Sequence, residues 1–269
     1  MAARLIFLGT GSGSAVISKQ LRGSGGIILQ IEDFQFHIDP GPGALAKAKE
    51  YGIALQHNTA VLVSHHHVNH CNDLNIVIDA MSHGGLEPHG IILGSKSVLQ
   101  GTDGIPPYLT QYHQRLVEKI IPLEKKHKVG LELIEINALP AEHTDPTALG
   151  FKFFCPKFTI SYSGDTALTP QLLEDLAGSD ILILNVPYPG NKAAGLNLDT
   201  LSAIKIVTHV RPKVTILTHF GIEMIKADPL NEAREVQRIT GVQTVAAQDG
   251  LSISLDGSTF LRPNVKGFN

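Results

Sequence analysis

The chain has 269 residues, of which 43% are hydrophobic and 17% are charged, a composition typical of globular rather than disordered proteins. Its formal net charge is −3 and no long basic run occurs, which argues against binding of duplex DNA. No apolar run approaches the roughly 20 residues of a membrane span, and no signal peptide is recognisable. With only two cysteines, the sequence favours a cytoplasmic protein without a disulfide framework.

The first part of the chain predicts short strands joined by tight turns. A glycine-rich turn follows the first strand, and Glu32-Asp33 is a hairpin turn between the second and third. The predicted strands are residues 5–8, 26–31, 34–39 and 60–63, and the predicted helices are 44–51 and 73–81.

The rest of the chain alternates strands with helices and contains no clear linker or repeat. Two β-rich halves that each gain helices suggest two sheets packed face to face with helices outside, in one domain spanning residues 1–269. The Gly- and Pro-rich segment 84–108 is the best candidate for a mobile loop over an active site. The predicted strands are 91–93, 117–122, 131–136, 150–155, 158–163, 181–186, 214–217, 244–247 and 251–255, and the predicted helices are 170–177, 200–210 and 230–239.

A run of histidines from Ser64 to His70 directly follows the apolar strand at 60–63. Imidazole is the commonest protein ligand for zinc-like metals, and it binds in the neutral form that is present near pH 7. His65 and His67 would point the same way on an extended segment, whereas His66 would point away from them. Clustered histidines also occur in exposed polar loops, but this spacing after a buried strand favours a metal site and metal-assisted hydrolysis. Cys71, beside His70, is better explained as a small buried helix residue than as a ligand.

Three further polar residues stand near the ends of apolar strands, where an open α/β sheet places its ligands. His143 comes after the strand at 131–136, Asp165 after 158–163, and His219 closes 214–217. Any one of them would more often be a turn or capping residue. Three of them downstream of the histidine run favour a shared metal site.

These segments occur in the same order as in the metallo-β-lactamase-fold superfamily, which the chain resembles over nearly its whole length. Within that superfamily the chain is most similar to the branch of transfer-RNA 3′-processing nucleases and small phosphodiesterases. The segments that carry the resemblance are Phe7-Leu8-Gly9-Thr10-Gly11-Ser12-Gly13, Ile38-Asp39-Pro40-Gly41, Ser64 through His70, His143, Ser163-Gly164-Asp165-Thr166 and Leu217-Thr218-His219.

The resemblance implies an α/β fold, a four-layer αββα sandwich of two packed mixed β-sheets with helices on both outer faces. It also implies a metal pair that activates a hydroxide, most simply zinc, with manganese or iron as alternatives. Asp39 would orient a metal-binding histidine. By position, His65, His67 and His143 would bind the first metal, His70 and His219 the second, and Asp165 both; Asp165, His219 and Asn69 are the candidate catalytic residues.

Asn69 departs from the family pattern, which has a metal-binding aspartate at this position. An amide oxygen can ligate a metal, but it carries no charge and cannot act as a base at neutral pH. The implied site then has one ligating carboxylate, Asp165, so the second metal should be held more weakly. Asp73, one helical turn further on, is a candidate for compensation. Residues 195–199 also lack the histidine that the nuclease branch has before the helix at 200–210, and no extended RNA-binding arm is recognisable.

The leading hypothesis is a metal-dependent hydrolase, a phosphodiesterase acting on a small molecule or a single-stranded nucleic acid. The first alternative is hydrolysis of a carboxylic ester, lactone or thioester by the same metals, because the fold does not separate these chemistries. The second is a non-catalytic metal- or ligand-binding protein, in which Asn69 marks lost chemistry. The sequence predicts no membrane partner and leaves a homodimer open.

Overall fold

The computed structural model describes residues 3–255. Within that range the strands are Ala3–Phe7 (β1), Ile27–Ile31 (β2), Phe34–Ile38 (β3), Ala60–Val63 (β4), Ile91–Ser95 (β5), Lys119–Leu123 (β6), Lys128–Leu131 (β7), Ile134–Pro140 (β8), Leu149–Phe154 (β9), Thr159–Tyr162 (β10), Ile181–Asn185 (β11), Val214–Thr218 (β12), Gln243–Ala246 (β13) and Ser252–Ser254 (β14). The helices are Ser14–Ile17 (α1), Ala44–Glu50 (α2), Val68–Cys71 (α3), Leu74–Met81 (α4), Lys96–Leu99 (α5), Pro170–Leu176 (α6), Thr200–Val210 (α7), Ile222–Ala227 (α8) and Pro229–Thr240 (α9).

The described residues divide into two compact units, each built on one mixed β-sheet. Unit 1 holds residues 3–10, 17–122 and 248–255, and its strands are ordered β14-β1-β2-β3-β4-β5-β6. Unit 2 holds residues 11–16 and 123–247, and its strands are ordered β13-β12-β11-β10-β9-β8-β7. The predicted pair of mixed sheets is therefore confirmed.

In unit 1 the strands β3, β4 and β5 run parallel, whereas β1, β2 and β3 form antiparallel pairs. The predicted hairpin joins β2 to β3, and Glu32 in its turn has a left-handed φ of 52°. Every residue of β4 is buried, so both faces of this strand are covered. Val61 and Val63 pack in one apolar cluster with Val77 and Ile78 of α4.

In unit 2 the strands β10, β11, β12 and β13 run parallel, and β7 to β10 form antiparallel pairs. Strand β11 is buried at every position, and its Leu182 and Leu184 pack with Ile206 of α7. Helix α7 begins where the sequence predicts because the Asp199 side chain accepts a hydrogen bond from the backbone N–H of Ser202.

Two predictions made from the sequence, one in each unit, are wrong. Residues 131–136 are not one strand, because the chain turns at Glu132, with a φ of 51°, and β7 and β8 form a hairpin. The segment 84–108 is not a single loop, since its centre forms β5 and α5, which are largely buried. Among the residues that the structure describes, no helix is long and apolar enough to cross a membrane.

Candidate metal centre

Unit 1 contributes a hydrogen-bonded group of histidines around Asp39. Because β3 and β4 are parallel neighbours, Asp39 and Ser64, which directly follow them, lie at the same edge of the sheet. Asp39 has a left-handed φ of 53°, a backbone conformation that residues other than glycine seldom adopt. Its carboxylate accepts hydrogen bonds from the backbone N–H of Ser64 at 2.7 Å, from Ser64 Oγ at 2.8 Å and from His70 Nδ1 at 2.8 Å.

These contacts determine which nitrogen of each imidazole carries the proton. A carboxylate only accepts hydrogen bonds, so His70 Nδ1 is protonated and Nε2 of the neutral ring keeps its lone pair. Ser64 Oγ donates its hydrogen bond to Asp39, so it accepts a hydrogen bond from His65 Nδ1 at 2.9 Å. The lone pair of His65 is then on Nε2, which lies 2.9 Å from His67 Nδ1. Both rings present the nitrogen that a metal would bind.

Three neighbours of these histidines lie in α3 or just before α4. The thiol of Cys71 is buried and donates to the backbone carbonyl oxygens of His66 and His67 at 3.3 and 3.4 Å, which confirms it as a buried helix residue. Asn69 is the second residue of α3 and precedes His70. Asp73 precedes α4, and its carboxylate accepts a hydrogen bond from Asn72 at 2.9 Å.

Unit 2 contributes a second group, which is centred on Asp165. Asp165 follows β10, Asn185 ends β11 and His219 follows β12, and since these strands are parallel neighbours the three residues meet at one sheet edge. Asn185 Nδ2 donates to Asp165 Oδ1 at 2.7 Å and to Tyr162 Oη at 2.9 Å. The other carboxylate oxygen, Asp165 Oδ2, lies 3.1 Å from His219 Nε2. His219 is buried and has a left-handed φ of 64°.

His143 reaches the same oxygen through two loops that bind each other. The backbone N–H of Glu142 donates to Thr166 Oγ1 at 3.0 Å, and the Ala167 N–H donates to the Glu142 carbonyl at 2.9 Å. His143 Nε2 lies 3.9 Å from Asp165 Oδ2 as a result. His143 Nδ1 donates to the Leu196 carbonyl at 2.9 Å, so the lone pair of the neutral ring is on Nε2. His143 Nε2 and Asp165 Oδ2 thus face each other with lone pairs, and a cation bound by both atoms would stabilise this arrangement.

The residue types of these donors fit a divalent metal. Imidazole nitrogens and carboxylate oxygens are ligands that zinc and similar metals prefer. In His65, His70 and His143, the Nδ1 atom is hydrogen-bonded to a protein oxygen, and Nε2 is the candidate ligand atom. The structure thus groups the predicted ligands of unit 1 with one another, and those of unit 2 likewise. The groups are His65, His67 and His70, and His143, Asp165 and His219.

Three contributors were not predicted from the sequence: Asn185, the Ser64 side chain and the Leu196 carbonyl. Asn185 was detectable, because it is the polar end of an otherwise apolar strand that precedes Val186-Pro187. The contact of Leu196 with His143 joins residues 53 positions apart through a backbone atom, so no side-chain pattern signals it.

Comparison with known sequences gives consistent matches. The model of the β-lactamase superfamily domain matches residues 35–220. The uncharacterized protein MJ1374 of Methanocaldococcus jannaschii is 31% identical over 257 residues, which cover 95% of this chain and 96% of that protein. The ribonuclease Z of Methanopyrus kandleri is 25% identical over 283 residues, covering 94% of this chain and 99% of that one.

Solved structures show the fold. The metallo-β-lactamase fold protein YhfI from Bacillus subtilis aligns with a TM-score of 0.78 and 18% identity, over 94% of this chain and 100% of that one. A diphosphatase of the PhnP family aligns with a TM-score of 0.70 and 20% identity, over 95% and 98%. The fold predicted from the sequence is therefore confirmed, and the chain belongs to the β-lactamase superfamily, with the metallo-β-lactamase fold.

Proposed function

We propose that this protein is a metal-dependent hydrolase that acts as a phosphodiesterase on a small or single-stranded substrate. One observation carries the proposal: protein oxygens occupy the Nδ1 atoms of His65, His70 and His143, so each ring keeps its Nε2 lone pair for a metal. Histidines with a purely structural role have no need of this shared arrangement. We assign His65, His67, His143, Asp165, His70 and His219 as the metal ligands of one functional domain of residues 1–269.

A divalent metal pair, for which zinc is our first choice, would lower the pKa of a water and so supply the nucleophile. The residues of the chain then have separate tasks. Asp165 would help to hold the metals, because its Oδ2 atom faces both His143 Nε2 and His219 Nε2 while Asn185 donates to Oδ1. Asp39 orients His70 and, through Ser64, His65.

Asn69 would complete the second metal position through its amide oxygen and bring no charge. Because Asp165 would be the single ligating carboxylate, the second metal would bind with lower affinity than the first. Bound substrate phosphate would supply negative charge that the protein does not provide there, which favours an anionic phosphodiester over a neutral ester.

The substrate class also draws on the comparisons. One relative is a ribonuclease Z, and one structure with this fold is a diphosphatase of the PhnP family. Neither identifies the substrate here, and the net charge of −3 suits a small molecule or a short single strand better than a duplex. Both cysteines are thiols, which fits a reducing compartment such as the cytoplasm.

Parallel assays test this function. The purified chain, equilibrated with zinc or manganese, is offered bis(4-nitrophenyl) phosphate, a lactone and a thioester. We expect phosphodiester turnover, with a loss of at least about a thousandfold in His67→Ala and Asp165→Asn, because each removes a metal ligand. His66→Ala is the matched control, since His66 belongs to the same run but is not among the proposed ligands.

The outcomes separate the hypotheses. Turnover of the lactone or thioester alone would replace the phosphodiesterase assignment with ester hydrolysis. Turnover that persists in His67→Ala would refute the metal assignment. Inactivity of the wild type toward all three substrates, together with activity in Asn69→Asp, would show that Asn69 marks a protein that has lost its chemistry.

A further inference from the structure

Residues 190–197 form an exposed loop, here called the His143 loop, between β11 and α7. Residues 191–195 are exposed, and the loop is tied down at both ends. At its start, the backbone N–H of Gly190 donates to Glu232 Oε2 of α9 at 2.9 Å, and Thr200 Oγ1 donates to the same oxygen. Towards its end, the Ala193 N–H donates to Asp199 Oδ2 at 2.8 Å. The carboxylates of Glu232 and Asp199 therefore anchor the loop, together with the Leu201 N–H, which donates to the Gly190 carbonyl at 2.9 Å.

The same loop supplies an atom that orients a proposed metal ligand. The Leu196 carbonyl accepts the Nδ1–H of His143 at 2.9 Å, which fixes the ring tautomer and aims Nε2 at Asp165. If the loop moved away, the ring would lose its orienting partner and the proton could occupy either nitrogen. The loop thus has two connections, one to the α9 carboxylate and one to the candidate ligand.

We propose that the His143 loop is a positioning element whose closed arrangement is thermodynamically linked to metal binding at His143. Leu196 is the positioning residue, and Glu232 and Asp199 hold it in place. A closed loop favours metal by presenting His143 in the correct tautomer. By reciprocity, bound metal must favour the closed loop by the same factor. This inference rests on the proposed function, because it requires that His143 bind a metal.

Lys192 in the exposed part of the loop provides the readout, because trypsin cleaves after lysine in opened segments. The full-length wild type is treated with trypsin in chelator and again with zinc, and the fragments are assigned by mass spectrometry. We expect zinc to slow cleavage after Lys192 by about tenfold, since proteolysis follows the population of the open state. Cleavage after Lys125 and Lys126, in an exposed turn of the same unit, should be unchanged and serves as the internal control.

A pair of variants on α9 tests the anchor. Glu232→Gln weakens the contact with Gly190 and Thr200, whereas Glu235→Gln removes a surface ion pair with Arg238 on the same helix. We expect Glu232→Gln to bind zinc about tenfold more weakly in a chelator competition, because residues that support metal ligands typically contribute at least that factor. Glu235→Gln should bind zinc as the wild type does.

The outcomes distinguish this inference from the proposed function. If the wild type binds neither zinc nor manganese, both are overturned. If it binds zinc but is cut after Lys192 at the same rate with and without the ion, the linkage is overturned and the metal centre stands. If zinc protects Lys192 yet the two α9 variants bind zinc equally, the role of Glu232 is overturned. A purely structural loop would show neither protection nor a difference between the variants.

Discussion

The two carboxylates Asp39 and Asp165 follow parallel strands in different units but contact different kinds of partner. Asp39 accepts hydrogen bonds from Ser64 and His70. Asp165 accepts one from the Asn185 amide, and its other oxygen faces two histidines. The amide of Asn185 must present its N–H groups to Asp165, because a carboxylate oxygen accepts and does not donate. Asn185 therefore orients Asp165 by holding Oδ1, and Oδ2 is the oxygen that faces the two histidines.

Replacement of Asn185 should weaken metal binding without removing a ligand. We expect Asn185→Ala to bind zinc about 10- to 100-fold more weakly, because Asp165 Oδ1 loses its donor and the carboxylate can rotate. Chelator competition measures the dissociation constant. Asn137→Ala, at a position on β8 in the same sheet, is the control, and equal affinities of the two variants would contradict the role of Asn185.

His37 predicts how stability depends on pH. Its ring is fully buried in β3, its Nε2 donates to the Gly25 carbonyl at 2.8 Å, and burial lowers the pKa of His37 from 6.5 to about 4. In the unfolded chain His37 becomes protonated below pH 6.5, whereas in the folded protein its ring stays neutral down to about pH 4. The folded state should therefore lose about 3 kcal/mol relative to the unfolded state as the pH falls through this window.

Urea unfolding of the metal-free protein at pH 7 and at pH 4.5 checks this dependence. His37→Gln cannot titrate, so its stability should fall less over this interval than that of the wild type. The rest of the chain is identical in the two proteins and cancels in the comparison. Parallel loss of stability in wild type and variant would contradict the assignment to His37.

At the level of elements, Gly41 couples the end of β3 to helix α3. A Cβ atom at this position would lie 2.0 Å from the Asn69 carbonyl oxygen and 2.4 Å from the Ser24 carbonyl oxygen, both of which are backbone atoms. The close approach lets the segment after Asp39 pack against the helix that carries His70. Glycine is required here for space, since its φ is not among the left-handed values.

Gly41→Ala should destabilise the fold by about 3 kcal/mol or more, because backbone on both sides would have to move. Gly130→Ala is the matched control, since a Cβ at Gly130 would meet nothing within 4 Å and its φ is not left-handed. Thermal and urea unfolding give both values. A Gly41→Ala protein as stable as the control would show that the helix adjusts at little cost.

Prediction from sequence succeeded where the signal was local and failed where partners were distant. Helix α7 was predicted with its observed bounds, and the structure shows that Asp199 caps it directly before an amphipathic run. The hairpin of β7 and β8 was read as one strand, because its turn residues Glu132 and Leu133 are neither glycine nor proline. The loop assigned to 84–108 was wrong since its glycines flank a buried strand rather than an open segment.

At the scale of the whole molecule, the proposed ligands are spread along the sequence from His65 to His219. Each ligand residue nevertheless follows a strand or a short turn. The histidine run, Asp165 and His219 were predicted because strand ends are where such folds place polar chemistry. The contacts of Ser64, Asn185 and Leu196 were not, because they depend on which strands and loops become neighbours. Family membership explains the order of the motifs, and Asn69 is the departure that we expect to lower occupancy of the proposed second metal position.

The measurement that tests the central claim most directly is the metal content of the purified chain, counted per polypeptide by native mass spectrometry before and after equilibration with zinc or manganese. We predict that wild type and His66→Ala retain one ion tightly and take up a second on equilibration, because Asn69 leaves the second position with less negative charge. His67→Ala and Asp165→Asn should lose the tight ion. Wild type that holds no ion under any of these conditions would contradict the metal centre and the hydrolase built on it.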